Sequence, residues 1–240
     1  MLEVYRSGEY YEGGEAGYGS YRLQEAALRA TFRRVVRNLV ARGFAGGDLL
    51  EIGSGFGFFL DEARTAFRSV CGTEMSEGAA ATARGLGFPV VTGGLDALGP
   101  GTKFDCVFSG HVIEHIYEPA TFMRELCARL RPGGTLVLGT PDASSAWRRL
   151  LGSRWPSYKI PEHVVFYDRA TLGRLLRQAG LVDIRAFPYA HAFPSALIAE
   201  RAGLGWLLQR AERLRERPVW LPATTVAVSG RRPLEVGDGG

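Results

Sequence analysis

The sequence predicts an α/β fold built around a mostly parallel β-sheet with helices on both faces. Apolar, strand-like runs alternate along the chain with helical patterns, which is typical of βαβ units. The first of these runs leads into three alternating glycines, Gly53, Gly55 and Gly57, and a helical pattern begins at Phe58. A strand that enters a tight glycine turn and opens a helix is the context in which a glycine pattern indicates nucleotide binding.

The composition is that of a globular protein. Of the 240 residues, 46% are hydrophobic and 22% charged, which is enough apolar material for one sizeable core. The net charge of +4 is modest and dispersed, so nucleic acid is not an expected partner. No apolar run approaches the ~20 residues of a membrane span. The N-terminus lacks the pattern of a signal peptide. The three cysteines form no CxxC pair, which favours reduced thiols, and we expect a cytoplasmic protein that is a monomer or a homodimer.

The predicted elements follow from hydrophobic period and from helix stop signals. A helix is expected over 22–42, ending at Gly43, and further helices over 58–67, 77–86, 120–130 and 169–179. Ser76 and Asp168 are the predicted caps of two of these helices. Strands are predicted at 48–52, 70–74, 88–92, 104–109, 135–140, 182–187 and 224–229.

We expect one domain over 1–240. Its parts are an N-terminal arm and helix (1–43), a core with the glycine turn (44–187), a helical insertion (188–222), and a last strand with a tail (223–240). The tyrosine-rich arm either orders over a site or is a disordered tail. An arginine-rich helix is predicted over about 195–217. It either packs on the domain or on a second subunit, or it binds an anionic partner.

The residues at the strand ends and the spacing of the glycines indicate which class of ligand binds. Ligands of open α/β sheets bind beyond the carboxyl ends of the strands, and Glu74 ends the second strand, where a carboxylate can accept both hydroxyls of a ribose. Gly57 comes one residue earlier than the third glycine of a dinucleotide turn, whose position Phe58 occupies. The pattern E-x-G-x-G-x-G, which starts at Glu51, suits an adenosyl ligand without a pyrophosphate and disfavours a nicotinamide-dependent oxidoreductase.

Four blocks of the sequence carry a family resemblance. They are LLEIGSGFGFFLDEA (49–63), VCGTEMSEGAAATAR (70–84), FDCVFSGHVIEHIYEPATFMRELCARLRPGGTLVLGTPD (104–142) and PEHVVFYDRATLGRLLRQAGL (161–181). In this order they resemble the class I S-adenosylmethionine-dependent methyltransferases that act on small molecules. The resemblance implies a Rossmann-like domain with a seven-stranded sheet, and S-adenosylmethionine as its cofactor.

The resemblance also implies a set of cofactor-binding residues. The turn 53–57 would cradle the methionine and ribose portion, Glu74 would bind the ribose, and Met75 would pack on the adenine. Leu95 or its backbone would lie by the adenine edge. Ser109 and His111 would approach the methionine end, and Tyr21 or Tyr18 of the arm would lie near its carboxylate. The implied set is Tyr21, Glu51, Gly53, Ser54, Gly55, Gly57, Glu74, Met75, Leu95, Asp96, Ser109 and His111.

Histidines are the candidate catalytic residues, because methyl transfer to a hydroxyl benefits from a base with a pKa near the working pH. His163 is the first candidate and His111 the second, while His115 is more readily a structural residue. Proximity alone, with no essential histidine, is the other interpretation. His111 and His115 lie one helical turn apart, a spacing that two metal ligands can have. A third ligand is not evident, however, so no metal is expected.

The sequence therefore predicts an enzyme that transfers a methyl group from S-adenosylmethionine to a small organic acceptor. It does not separate O-, N- and C-methylation. The alternative is a protein of the same fold that binds S-adenosylmethionine and assists another reaction, such as a cyclisation.

Overall fold

The computed structural model describes residues 24–201 and 216–235. Within them a single sheet of seven strands has the order β3-β2-β1-β4-β5-β7-β6. The strands are β1 (Asp48–Ile52), β2 (Ser69–Glu74), β3 (Val90–Thr92), β4 (Phe104–Gly110), β5 (Leu130–Pro141), β6 (Val182–Pro194) and β7 (Pro218–Arg231). The helices are α1 (Glu25–Ala41), α2 (Phe58–Ala63), α3 (Glu77–Gly85), α4 (Pro119–Ala128), α5 (Ala146–Leu151), α6 (Arg169–Gln178) and α7 (Ser195–Arg201).

The sheet confirms the predicted fold class. Strands β1 to β5 pair in parallel, and β7 pairs antiparallel with both β5 and β6. The chain order reverses at β1, which lies between β2 and β4. Ligands of open α/β sheets bind at such a reversal, beyond the carboxyl ends of the strands.

Helices cover both faces of the sheet. Along β1, Leu49 packs with Val35 and Leu39 of α1, whereas the next residue, Leu50, belongs to the core cluster that contains Leu126 of α4. The strand is buried on both sides, which explains why its sequence is a continuous apolar run rather than an alternating one. Among the described residues, no helix combines the length and apolar character of a membrane span.

Several local predictions agree closely with the structure. Strand β1 has the predicted bounds. The hydroxyl of Ser76 accepts the backbone N–H of Ala79 at the start of α3, and Asp168 and Thr171 form a capping box on α6. The helix after the glycine turn is shorter than expected and ends at Ala63.

The helical insertion predicted over 188–222 is strand at both of its ends, whereas its helix begins at Ser195 as expected. Strand β6 continues to Pro194 and β7 begins at Pro218, so the two form a long antiparallel ribbon. The backbone N–H of Ala192 donates to the buried hydroxyl of Thr31, so packing against α1 holds the extension. Because β6 is the edge strand, Pro188 is tolerated within it. Of the expected helix, the structure describes α7, and residues 202–215 lie outside the described residues.

Candidate functional site

A cavity of about 160 Å³ opens at the carboxyl ends of β1, β4 and β5. The glycine turn forms one wall, and α1 and the extended part of β6 cover it. Its lining includes Glu51, Gly53, Gly55, His111, Glu114, His115, His163, Tyr189 and His191. The cavity therefore lies where the sheet topology predicts a ligand.

The three glycines of the turn adopt left-handed backbone angles. The φ values of Gly53, Gly55 and Gly57 are 75°, 53° and 81°. A Cβ at Gly53 would lie 2.7 Å from Cγ2 of Val112, and one at Gly57 would lie 2.9 Å from Cβ of Ala83. Glycine is therefore required both for the turn's φ angles and for the close approach of neighbouring side chains. Gly57 does not line the cavity and instead packs against α3.

Glu74 holds the glycine turn from the end of β2. Its side chain is buried, and its two carboxylate oxygens accept the backbone N–H groups of Gly55, at 2.8 Å, and Ser76, at 2.9 Å. The residue predicted to bind ribose thus already links the turn to the start of α3. Glu74 itself is not among the residues that line the cavity.

Glu51 is the buried carboxyl group at the cavity wall. It is 4% exposed, and its Oε2 has no hydrogen-bond partner among the residues that the structure describes. Burial, and secondarily the nearby charge of Glu74, raise its pKa well above the usual value. A cationic group in the cavity would compensate this carboxylate, because a buried charge without a partner is costly.

His111 and Glu114 follow β4 at the centre of the cavity wall. His111 has a left-handed φ of 58°, which is rare outside glycine, and its Nδ1 lies 3.3 Å from Oε1 of Glu114. The buried Glu114 also accepts the hydroxyl of Thr140 at 2.9 Å. Burial alone would raise the pKa of Glu114, but the hydrogen bond and the charges of the neighbouring histidines lower it to about 2. Glu114 is therefore an ionised carboxylate.

The other two candidate catalytic histidines meet each other. The ring centroids of His115 and His163 are 4.7 Å apart, at an interplanar angle of 80°. Nδ1 of His115 lies 2.9 Å from the carbonyl oxygen of Glu162, and Nδ1 of His163 lies 2.7 Å from that of Ser157. Burial lowers the pKa of both rings, that of His163 to about 4. A base with such a low pKa is weak at neutral pH, which reduces the case for His163 as the general base.

Sequence reasoning missed Tyr189 and His191, which lie in the extended part of β6. His191 and His111 have ring centroids 5.6 Å apart, and burial, with the proximity of His111, lowers the pKa of His191 to about 3. The hydroxyl of Tyr189 and Nδ1 of His191 are buried without a hydrogen-bond partner in the described part of the chain. A sequence signal for them exists, because side chains with rings recur at every second position, at Phe187, Tyr189, His191 and Phe193. Such a period of two indicates a strand.

Five further described residues of the predicted cofactor set do not line the cavity, namely Ser54, Met75, Leu95, Asp96 and Ser109. Ser54 and Ser109 are buried at the ends of β1 and β4, and neither hydroxyl has a partner within the described residues. The side chain of Leu95 packs into the core, and its carbonyl accepts Arg129 at 2.9 Å. Met75 and Asp96 stay predictions. Tyr21 and the rest of the arm, with Tyr18, lie outside the described residues.

A family model described as a methyltransferase domain matches residues 22–186. A probable S-adenosylmethionine-dependent methyltransferase of Mycolicibacterium smegmatis is 37% identical over 117 residues, 46% of this chain and 45% of the relative. A ubiquinone biosynthesis O-methyltransferase of Ruegeria pomeroyi is 31% identical over 163 residues, 62% of this chain and 66% of the relative. The matches thus span about half to two thirds of these relatives' length.

Solved structures with the same fold have lower sequence identity. A possible histamine N-methyltransferase of Thermotoga maritima has a TM-score of 0.62 at 20% identity and covers 88% of this chain and 92% of its own. The magnesium protoporphyrin IX methyltransferase of Synechocystis PCC 6803, with bound SAH, has a TM-score of 0.63 at 17% identity and covers 97% and 100%. At these identities the likeness supports the fold.

Proposed function

Because the chain belongs to the class I S-adenosylmethionine-dependent methyltransferases, we propose that it transfers the methyl group of S-adenosylmethionine to a hydroxyl group of a small organic acceptor. The family model supports the methyl transfer, since it matches more than half of the chain. Several relatives that carry the name ubiquinone biosynthesis O-methyltransferase favour oxygen as the acceptor atom.

The observation that carries the proposal is the buried carboxyl group of Glu51 beside the glycine turn. The amino-acid end of S-adenosylmethionine brings an ammonium group, and Oε2 of Glu51 lacks a partner among the described residues. Gly53 and Gly55 line the same cavity and allow close approach of a ligand to the backbone. The residues at this wall therefore fit the cofactor.

Within this proposal, Glu51 and the turn 53–57 bind the methionine portion, and Glu74 binds the ribose. The bound cofactor supplies a methyl group on a sulfonium, so the protein has to orient the acceptor and exclude water. The histidine side of the cavity suits the acceptor. Nδ1 of His111 faces a carboxylate, so the neutral ring has its lone pair on Nε2, which is buried without a partner in the described region. Nε2 is thus positioned to accept a hydrogen bond from a hydroxyl group.

Calorimetry and methyl incorporation test the proposal. We expect S-adenosylmethionine and S-adenosylhomocysteine to bind in titrations of the full chain and NAD not to bind. Tritiated methyl groups should then appear in members of a panel of small phenols and alcohols, but not in the matched amines. Binding of NAD alone would contradict the family-based proposal. Consumption of S-adenosylmethionine without methyl incorporation into any acceptor would favour the alternative, a different reaction on the same cofactor.

A further inference from the structure

Three side chains with metal-binding atoms meet on the histidine side of the cavity. Glu114 and His115 belong to the short turn Ile113–His115 after β4, and His163 comes from the segment between α5 and α6. One possible ligand atom from each residue lies within 4.8 Å of the others. Two imidazoles and a carboxylate at such separations are a common donor set for catalytic metal ions.

Both imidazoles of this cluster make the hydrogen bond to a carbonyl that metal-binding histidines usually make. A backbone carbonyl only accepts hydrogen bonds, so the hydrogen bonds to Glu162 and Ser157 require a proton on Nδ1 of His115 and of His163. In the neutral rings the lone pair is then on Nε2. Metal-binding histidines almost always donate their other ring N–H to a carbonyl or carboxylate, which fixes the tautomer and the ring orientation.

The carboxylate of the cluster is also held by a second layer of hydrogen bonds. Glu114 is 1% exposed, and its two oxygens contact Thr140 and Nδ1 of His111. A buried carboxylate requires compensation by positive charge. A divalent cation bound by all three side chains would supply this charge.

The position of the cluster gives such a cation access to a substrate. Glu114, His115 and His163 line the same cavity as Glu51 and Gly53. Three protein ligands leave coordination positions for water or a substrate oxygen, as in catalytic zinc sites. Imidazole ligands suit zinc and neighbouring transition metals, whereas magnesium prefers oxygen ligands.

We propose that Glu114, His115 and His163 bind one divalent transition-metal ion of the zinc type. Its open coordination positions face the cavity and bind an oxygen atom of the methyl acceptor. The metal site stands on the cluster's own geometry, and the role in acceptor binding rests on the proposed function. The sequence predicted no metal because it paired His111 with His115 and offered no third ligand, whereas the fold brings His163 to the pair.

Cobalt titration of the untagged full chain, after removal of metals with a chelator, tests the site. We expect one equivalent of Co²⁺ to bind with visible d–d absorption bands, and Zn²⁺ to displace it. Titration of the wild-type protein without such bands would overturn the proposal, so the test does not depend on the folding of a variant.

Three variants locate the bound ion. We expect His163→Ala and Glu114→Gln each to weaken Co²⁺ binding by ~10-fold to ~100-fold or more. Removal of a residue that only supports a metal ligand already costs about this much affinity. His191→Ala is the matched control, because His191 lines the same cavity outside the cluster, and it should keep the bands. Bands that persist in both cluster variants would show that the ion binds elsewhere and would overturn the assignment.

Binding of S-adenosylhomocysteine, measured by calorimetry in the presence of chelator, separates this inference from the proposed function. Retained S-adenosylhomocysteine binding without any cobalt site would overturn only the metal proposal. A cobalt site in a chain that binds no S-adenosylhomocysteine would overturn only the methyltransferase proposal. A cobalt spectrum that shifts on addition of an acceptor found in the methyl-incorporation panel is the result expected if the metal binds the acceptor, and an unchanged spectrum would contradict that role.

Discussion

The imidazole rings of His115 and His163 lie edge to face, with their centroids 4.7 Å apart. Next to this contact, the backbone carbonyl of Glu114 accepts the N–H groups of Val164 and Val165 at 2.9 and 3.2 Å. These contacts attach the irregular segment between α5 and α6 to the turn after β4. The histidine side of the cavity is therefore built from two distant parts of the chain.

The buried carboxyl group of Glu51 is expected to strengthen cofactor binding and to lower the stability of the apo-protein. We expect Glu51→Gln to weaken S-adenosylhomocysteine binding about 10-fold to 100-fold, because a hydrogen bond to a charged group contributes about 1.5–3 kcal/mol. The measurement is calorimetry at neutral pH. Glu118→Gln, at an exposed acid, is the matched control and should bind normally. Equal affinities for the two variants would remove Glu51 from the binding site.

The difference in apo-protein stability between Glu51→Gln and the wild type is expected to depend on pH. Because the folded-state pKa of Glu51 is raised, its contribution to stability is fully present below the unfolded pKa and is lost as the pH rises through the folded value. Glutamine stays neutral, so Tm of Glu51→Gln should match the wild type near pH 4 and exceed it increasingly toward pH 8. Thermal unfolding across this range measures the difference, and a constant offset at every pH would contradict the assigned cause.

Glu74 is predicted to act in stability as well as in ribose binding. Its two oxygens accept N–H groups of Gly55 and Ser76, and glutamine can accept only one of them with its single carbonyl oxygen. We expect Glu74→Gln to destabilise the apo-protein by about 1–3 kcal/mol, the cost of one unsatisfied buried donor. It should also weaken S-adenosylhomocysteine binding. Denaturant unfolding and calorimetry measure the two effects, and full apo stability would show that the turn does not depend on Glu74.

Alanine substitutions at two glycines with nearly the same φ angle distinguish the cost of backbone strain from the cost of a steric clash. Gly53 and Gly101 have φ values of 75° and 77°. A Cβ at Gly53 would lie 2.7 Å from Val112, whereas one at Gly101 would have no atom within 4 Å. Alanine at Gly101 should cost about 1–2 kcal/mol for the left-handed conformation. Alanine at Gly53 should cost a further ~1–3 kcal/mol for overpacking and should impair cofactor binding. Equal unfolding free energies for the two variants would contradict this account.

Thr31 is predicted to anchor the extended part of β6 to α1. Its buried hydroxyl accepts the N–H of Ala192 at 2.9 Å and donates to the carbonyl of Ala27 at 3.0 Å. Thr31→Val leaves the N–H of Ala192 without an acceptor and should destabilise the fold by about 1–3 kcal/mol. Thr31→Ser keeps the hydroxyl and is expected to retain more of the stability. Denaturant unfolding compares them, and a valine variant at least as stable as the serine variant would refute the anchoring role.

Local chemistry made parts of the fold predictable from sequence. The caps Ser76 and Asp168 and the bounds of β1 depend on residues within a few positions of each other, and the structure has them as predicted. The extension of β6 was missed because its prolines indicate a break, whereas packing against α1 and the position at the sheet edge permit a strand.

The sequence by itself determined the class of fold, the glycine turn with its positive φ angles, and the acid at the end of β2. These features follow from hydrophobic period and from the conformational freedom of glycine, which act locally. Only the tertiary structure decided that His163 meets Glu114 and His115, and that Tyr189 and His191 line the cavity. Such contacts join segments far apart in the chain, and they depend on how the packed sheet and helices place those segments.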